Sequence, residues 1–313
     1  MTASALPLKF QIGARTLWTI RRRLVRVPLS LADALADAAP ALPPLPAEAH
    51  GYLVTSLPEA WAPGEPGEAR SGGRVRVNGV ELFAFVRQRY TRHYVDLRGG
   101  FDAYWSALSS NTRSSLKRKA KRVAAASTGT LAVRRFRTPD ELAEFHAVAR
   151  AISARTYQER LLDAGLPTDG RFVHTMMRLA AEDRVRAWLL EIGGVPAAYL
   201  YCPAEGDTLL YQYVGHDPAF AELSPGSVLQ TEALRDLFAE ERFARFDFTE
   251  GEGQHKRSFA TGGIACMDLL LLRHTLGNRL AVAALGAFDG AVALAKRGVG
   301  LFALDGLARK VRR

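Results

Sequence analysis

The sequence predicts an α+β fold, a mixed but mostly antiparallel sheet flanked by helices, preceded by a smaller and incomplete α/β half. Three observations predict it. Residues 184–192, 195–203 and 208–215 each read as a strand, and Gly193-Gly194 and residues 204–207 are short enough to join them as hairpins. A helix over 224–240 then leads to a strand at 245–249, so the meander is followed by a crossover that returns a parallel neighbour. The composition, 48% apolar and 24% charged over 313 residues, is that of a folded globular chain.

The other elements follow from local signals. Residues 8–30 mix large apolar side chains with arginines and fit either a strand pair or a short amphipathic helix. Residues 39–46 and 62–73 are rich in Pro and Gly and read as loops. Strands fit 51–57, 74–76 and 81–88, with Asn78-Gly79 as a hairpin turn. Trp105, Leu108, Leu116, Ala120 and Val123 recur at helical spacing and predict one long basic helix over 102–126. After a strand at 130–137, Thr138-Pro139-Asp140-Glu141 supplies a cap, a first-turn proline and early acids for a helix to 155. A helix at 171–182, a short one at 254–260 and a strand at 265–274 complete the pattern. The expected organisation is an N-terminal half over 1–100, a main domain over 101–275 and a basic C-terminal segment over 276–313.

The net charge of +10 is concentrated. Residues 1–30 hold six basic side chains and no acid, 113–122 hold six more, and 273–313 hold eight against two acids. Such charge serves an anionic partner, a phosphate-bearing cofactor, a lipid surface or nucleic acid, or else is solvated surface. Nucleic acid is not the expected partner, because 113–122 has no interleaved aromatic residue for base stacking and no recognition motif. Cys202 and Cys266 lie in apolar strands without metal-ligand spacing, so neither a metal nor a disulfide is expected. Pro7, Gln11 and Arg15 interrupt any leader-like apolar run, and the expected location is cytoplasmic. Leu280, Ala284, Phe288, Val292, Ala295, Val299 and Phe302 repeat every three or four positions, with Lys296, Arg297, Arg309, Lys310, Arg312 and Arg313 as basic flanks. That segment reads as an interfacial helix on an anionic inner membrane face, or as a helix docked on the main domain.

The start of the 224–240 helix carries chemistry. Ser224 is placed to cap it, Pro225 suits its first turn, and Gly226 lets a ligand approach the backbone. Free amides at a helix N-terminus after a strand attract a phosphate, although an ordinary capped helix begins the same way. Gly215-His216-Asp217-Pro218, Ser224-Pro225-Gly226, Asp247-Phe248-Thr249-Glu250-Gly251 and His255-Lys256, following a basic helix and a meander, resemble the GNAT acyltransferases of the CelD/BcsL-like branch, which is related to the FemAB aminoacyl transferases. The resemblance covers residues 100–275; the Gln/Arg-x-x-Gly-x-Gly/Ala loop of more familiar GNAT enzymes is absent.

The resemblance implies a GNAT fold whose strands 208–215 and 245–249 splay to admit the pantetheine arm of acyl-CoA, a co-substrate with no metal. Val214, Gly215, Ser224, Gly226, Ser227, Val228 and His255 are the expected donor-binding residues. Transfer to an amine needs a proton acceptor and then a donor for the departing thiolate. Asp247, Glu250 and His216 are the base candidates, and Tyr211, Tyr213, His255 and Lys256 the donors or positioning groups. The polar end of the helix before 165, with Tyr157, Gln158 and Arg160, is the expected acceptor pocket, to which Tyr213 also contributes. The donor is expected to be acyl-CoA or an acyl carrier thioester. The acceptor is an amine-bearing lipid such as a sphingoid base, or a saccharide; FemAB-like aminoacyl transfer is the third reading.

Overall fold

The structure, a computed structural model, describes residues 3–12, 15–36, 40–61, 73–156, 165–251 and 253–311, the side chains of residue 15 and of 296–311 excepted. In chain order the elements begin with β1 (Ser4–Ile12), β2 (Arg15–Pro28), α1 (Leu31–Leu35), β3 (Gly51–Pro58), β4 (Arg74–Val77) and β5 (Val80–Asp96). There follow α2 (Phe101–Ala107), α3 (Ser110–Ala125), β6 (Ala132–Phe136), α4 (Pro139–Ser153), α5 (Gly170–Ala181), β7 (Val185–Ile192) and β8 (Val195–Glu205). The remainder are β9 (Thr208–Leu210), β10 (Tyr213–His216), α6 (Pro225–Glu240), β11 (Arg245–Asp247), α7 (Gln254–Phe259), β12 (Gly262–Arg273) and α8 (Leu276–Val311).

The chain divides into two compact units, each built from more than one segment of sequence. The first takes residues 1–29, 37–89 and 267–313, the second 30–36 and 90–266. In the first, residues 8–30 form strands: β1 and β2 are an antiparallel hairpin, and β2 runs parallel to β3 from Leu24↔Gly51 to Pro28↔Thr55. The turn Asn78-Gly79, with φ of 48° and 78°, joins β4 to β5 as expected. Its core takes Leu8, Phe10, Leu24, Phe83 and Phe85 together with Leu285 of α8.

In the second unit β6, β7 and β8 are antiparallel, β8 pairs with β9, β9 runs parallel to β11, and β11 pairs antiparallel with residues 94–96 of β5. Strand β7 explains the layering. Its odd positions Val185, Ala187 and Leu189 pack with α4 and α5, while Trp188, Leu190 and Ile192 join the cluster that holds α2, α3 and α6. A strand covered on both faces reads as a continuous apolar run, which is what 185–192 shows. Trp188 is 2% exposed and its indole N–H donates to Asp236, 3.0 Å, so the largest core side chain has its polar group satisfied.

Two local expectations change. The predicted long helix is two, α2 and α3, because Ser109 turns extended and its hydroxyl accepts from the Thr112 amide, starting a new helix there. The third meander strand breaks at Tyr211-Gln212 into β9 and β10. The expected cap at Thr138 forms, and Glu141 completes it as a capping box.

Candidate active site

The break between β9 and β10 makes the site. Parallel pairing of β9 and β11 ends at Leu210↔Asp247, and the Tyr211 amide donates one more bond to the Asp247 carbonyl, 2.8 Å. Beyond that rung the strands part. The Phe248 amide turns to the His93 carbonyl, 3.0 Å, while β10 pairs with β8. Tyr211 and Tyr213 consequently serve different faces. Tyr211 packs against Phe246 and Phe248, and Tyr213 against Phe172 and Tyr201 on the α4–α5 side.

Asp247 is fully buried at the end of β11. The Arg92 Nε and Nη2 groups donate to its carboxylate at 3.1 and 2.5 Å, and the Thr249 amide donates at 2.8 Å. Burial alone would lower the Arg92 pKa, but the hydrogen bonds and charge of Asp247 raise it overall, so the guanidinium stays charged. A carboxylate held this way orients the turn at Thr249, a residue with φ of 61°, and has its lone pairs occupied. The sequence offered Asp247 as a base; the structure sets its carboxylate against Arg92 and the Thr249 amide. Lys256 is similar. Its ammonium donates to the carbonyls of Glu250 and Gly251 at 2.6 and 3.3 Å and staples the loop from the inside.

That loop delivers His255 to Tyr211, ring centroids 6.1 Å apart. Desolvation, and secondarily the charge of Lys256, lowers the His255 pKa, so its imidazole is neutral near neutral pH. Burial raises the Tyr211 phenol well above its ordinary range, which keeps it protonated. A neutral imidazole and a protonated phenol are a proton acceptor and a proton donor side by side. Glu250 is half-buried in the same loop, whereas His216 is exposed at the end of β10.

The helix α6 start is built differently from expectation. Ser224 adopts φ 53°, ψ 50° and makes no side-chain cap; it links a short 3-10 turn over Pro218–Leu223 to Pro225. The Ser227 amide is engaged by the Ser224 carbonyl, 3.1 Å, and Val228 is buried in the core. A Cβ on Gly226 would meet nothing within 4 Å, so its backbone is open. Lys119 of α3 places its ammonium 3.3 Å from the Ser227 hydroxyl, adding a full positive charge to the positive end of the helix dipole. The periodicity of α3 marked that helix as basic but could not show which lysine meets α6.

Val214 joins the cluster under α6, while Gly215 faces Tyr199: a Cβ there would stand 2.5 Å from the Tyr199 ring. Two hollows lie beside α3. One of about 640 Å³ is lined by Leu108, Ser109 and Thr112 and by Gln254, Arg257 and Ser258 of α7; the other, about 220 Å³, by Trp105, Lys117, Val228 and Arg235 among others. At the end of α4, Ser153 is fully buried and its hydroxyl accepts from the Leu166 amide, 2.9 Å, and Arg155 pairs with buried Asp217 at 3.1 Å. The expected acceptor residues Tyr157, Gln158 and Arg160 lie outside the described residues.

Residues 110–257 match the family model described as acetyltransferase (GNAT) domain. No curated protein matches the chain. Similar solved structures include the C-terminal domain of a protein assigned as a lysylphosphatidylglycerol synthetase from Agrobacterium fabrum, at 12% identity and TM-score 0.48 over 77% of this chain and 72% of that one. FemX follows at 10% identity and TM-score 0.46, over 75% of each chain. A GCN5-related N-acetyltransferase from Kribbella flavida has 13% identity and TM-score 0.40, over 73% of this chain and 71% of that one. The second unit is GNAT-like in fold, and residues 110–257 within it are matched by the acetyltransferase (GNAT) domain family.

Proposed function

We propose that the second unit transfers an acyl group from acyl-CoA to an amine, or a hydroxyl, of an amphiphilic acceptor. The observation that carries this reading is the parting of β9 and β11 at Tyr211 and Asp247, within the segment matched by the acetyltransferase domain. A thioester arm that enters there meets the unpaired edge of the strands. The pyrophosphate is assigned to the Gly226 backbone and Lys119, where a helix N-terminus and an ammonium both favour an anion.

In this reading the acceptor nitrogen attacks the thioester carbonyl carbon and His255 takes the proton the nitrogen loses. The C–S bond then breaks, and the Tyr211 phenol protonates the departing thiolate. Asp247, Arg92 and Lys256 hold the loop that positions both groups. A lipid amine such as a sphingoid base is the preferred acceptor and a saccharide the alternative. Exposed Lys117, Arg118, Lys121 and Arg122 along α3 favour a second reading, in which the donor is an aminoacyl-tRNA.

The test is release of free thiol from a series of acyl-CoA thioesters, with and without lipid amines and amino sugars, alongside thermal-shift titration with the same thioesters. Stabilisation by acyl-CoA and amine-dependent thiol release support the proposal. Turnover confined to aminoacyl-tRNA would replace it with the second reading, and no response to either donor would overturn both.

A further inference from the structure

Helix α8 in the first unit has an unusual surface. Its inner side is Ala281 and Leu285, 3% and 0% exposed, with Val282, Ala284 and Phe288 packed beside them. The stripe read from the sequence is thus partly the docked side. The outer side is apolar as well: Leu276, Leu280 and Leu294 are 74%, 61% and 68% exposed. Ala283, Ala287 and Ala291 are exposed between them. From Leu280 to Ala295 Asp289 is the sole charged residue, and its carboxylate pairs with Arg87 at 2.5 Å. A solvent-facing helix side normally carries polar and charged residues, and a continuous exposed apolar face marks an interaction site. Residues 276–295 are long and apolar enough to cross a membrane, but the buried Ala281 and Leu285 and the Arg87 ion pair seat them on the first unit.

A second exposed apolar group adjoins it. Near the tip of the β1–β2 hairpin Ile12, Leu17 and Trp18 are 50%, 52% and 63% exposed. The ring of Phe10 joins the two groups, with centroids 5.3 Å from Trp18 and 5.4 Å from Phe288. Farther from the tip, Arg22 donates to the Gly277 carbonyl in the first turn of α8, 2.9 Å. Hairpin and helix therefore run side by side, with the tip and Leu294 toward the same end. Basic residues flank the apolar face: Arg279 is exposed near the start of α8, and Lys296-Arg297 follows the face directly in sequence.

We propose that the β1–β2 tip and the outer face of α8 form one surface that docks on an anionic lipid bilayer, Trp18, Leu280 and Leu294 entering the acyl boundary and Arg279 meeting headgroups. The occupant follows from charge: apolar side chains bordered by unbalanced basic ones complement an anionic interface, where each basic residue contributes about 1 kcal/mol. This does not depend on the acyl-transfer reading.

The test is sedimentation of the full chain with vesicles of phosphatidylcholine alone and of phosphatidylcholine mixed with phosphatidylglycerol. Binding to the mixed vesicles, weakened by salt, is expected. Trp18→Ser combined with Leu294→Ser should lower partitioning about ten-fold, and Arg279→Gln about five-fold, with melting temperatures unchanged. Leu280→Gln, at a single exposed position, gives an independent variant should the double substitution fail to fold. Equal binding by the variants, equal binding to both vesicles, or no binding would overturn the proposal. So would a wild-type dimer that Leu280→Gln dissociates, which would make this face an interface between two copies.

Discussion

Arg92 holds Asp247 through a bidentate ion pair, with Asp247 fully buried and the Arg92 side chain 6% exposed. Removing one charge from such a pair leaves the other desolvated and unpaired, at about 3–5 kcal/mol. Asp247→Asn should therefore lower the unfolding free energy by about 3 kcal/mol, measured in urea. Were Asp247 the general base, turnover of the folded variant would be abolished as well, whereas a positioning residue leaves measurable kcat in the folded fraction, so the two measurements together separate the roles.

Gly215 stands opposite Tyr199 in the β8–β10 register, and a Cβ there would come within 2.5 Å of a ring that is 2% exposed. The ring has no solvent side to retreat to. Gly215→Ala should destabilise the second unit by about 1–3 kcal/mol through overpacking. Adding Tyr199→Leu to Gly215→Ala should recover part of the loss, a non-additivity that a double-mutant cycle reads directly. Additive effects would mean that the two side chains do not meet.

These two relationships were invisible in the sequence for a physical reason. Alternation and turn residues are local, so β7, β8, the Thr138 cap and the parallel β9–β11 pair were legible from them. The partner of a buried charge is not local: Arg92 lies 155 residues from Asp247 and Lys119 108 residues from Ser227. The motif strings name residues but not their partners. Asp247 meets Arg92 and Lys256 meets the loop carbonyls, and Ser224 is tolerated at positive φ as a link between two helical turns, not as a cap. The stripe read from 280 to 302 mixes exposed Leu280 with docked Ala284 and Phe288, because an alanine-rich helix is apolar on both sides and its docked and open faces read alike.

Lys119 meets the first turn of α6 through Ser227, where the helix dipole is already positive. If the donor's pyrophosphate sits there, Lys119→Gln should raise KM for acyl-CoA about ten-fold and leave kcat unchanged, because the phosphates are bound alike in ground and transition states. The effect should shrink at high salt, as the contact is electrostatic. A fall in kcat at constant KM would move Lys119 away from the donor's phosphates and toward the reacting centre.

His255 and Tyr211 make the sharpest prediction, since their shifts have opposite chemical uses. Desolvation and Lys256 lower the His255 pKa, so the neutral form that accepts a proton prevails above a midpoint lying below the ordinary value of about 6.5. Turnover should be flat near neutral pH and fall as pH drops through that midpoint. His255→Asn should remove the acid limb and lower kcat by about 100-fold, the lower end of general-base effects. Lys256→Gln should move the midpoint upward by deleting the neighbouring charge. Tyr211 is held protonated by burial, so Tyr211→Phe should slow release of an alkyl thiol far more than release of an aryl thiol, which departs without a proton. Equal slowing with both leaving groups would show that Tyr211 packs the cleft and gives no proton.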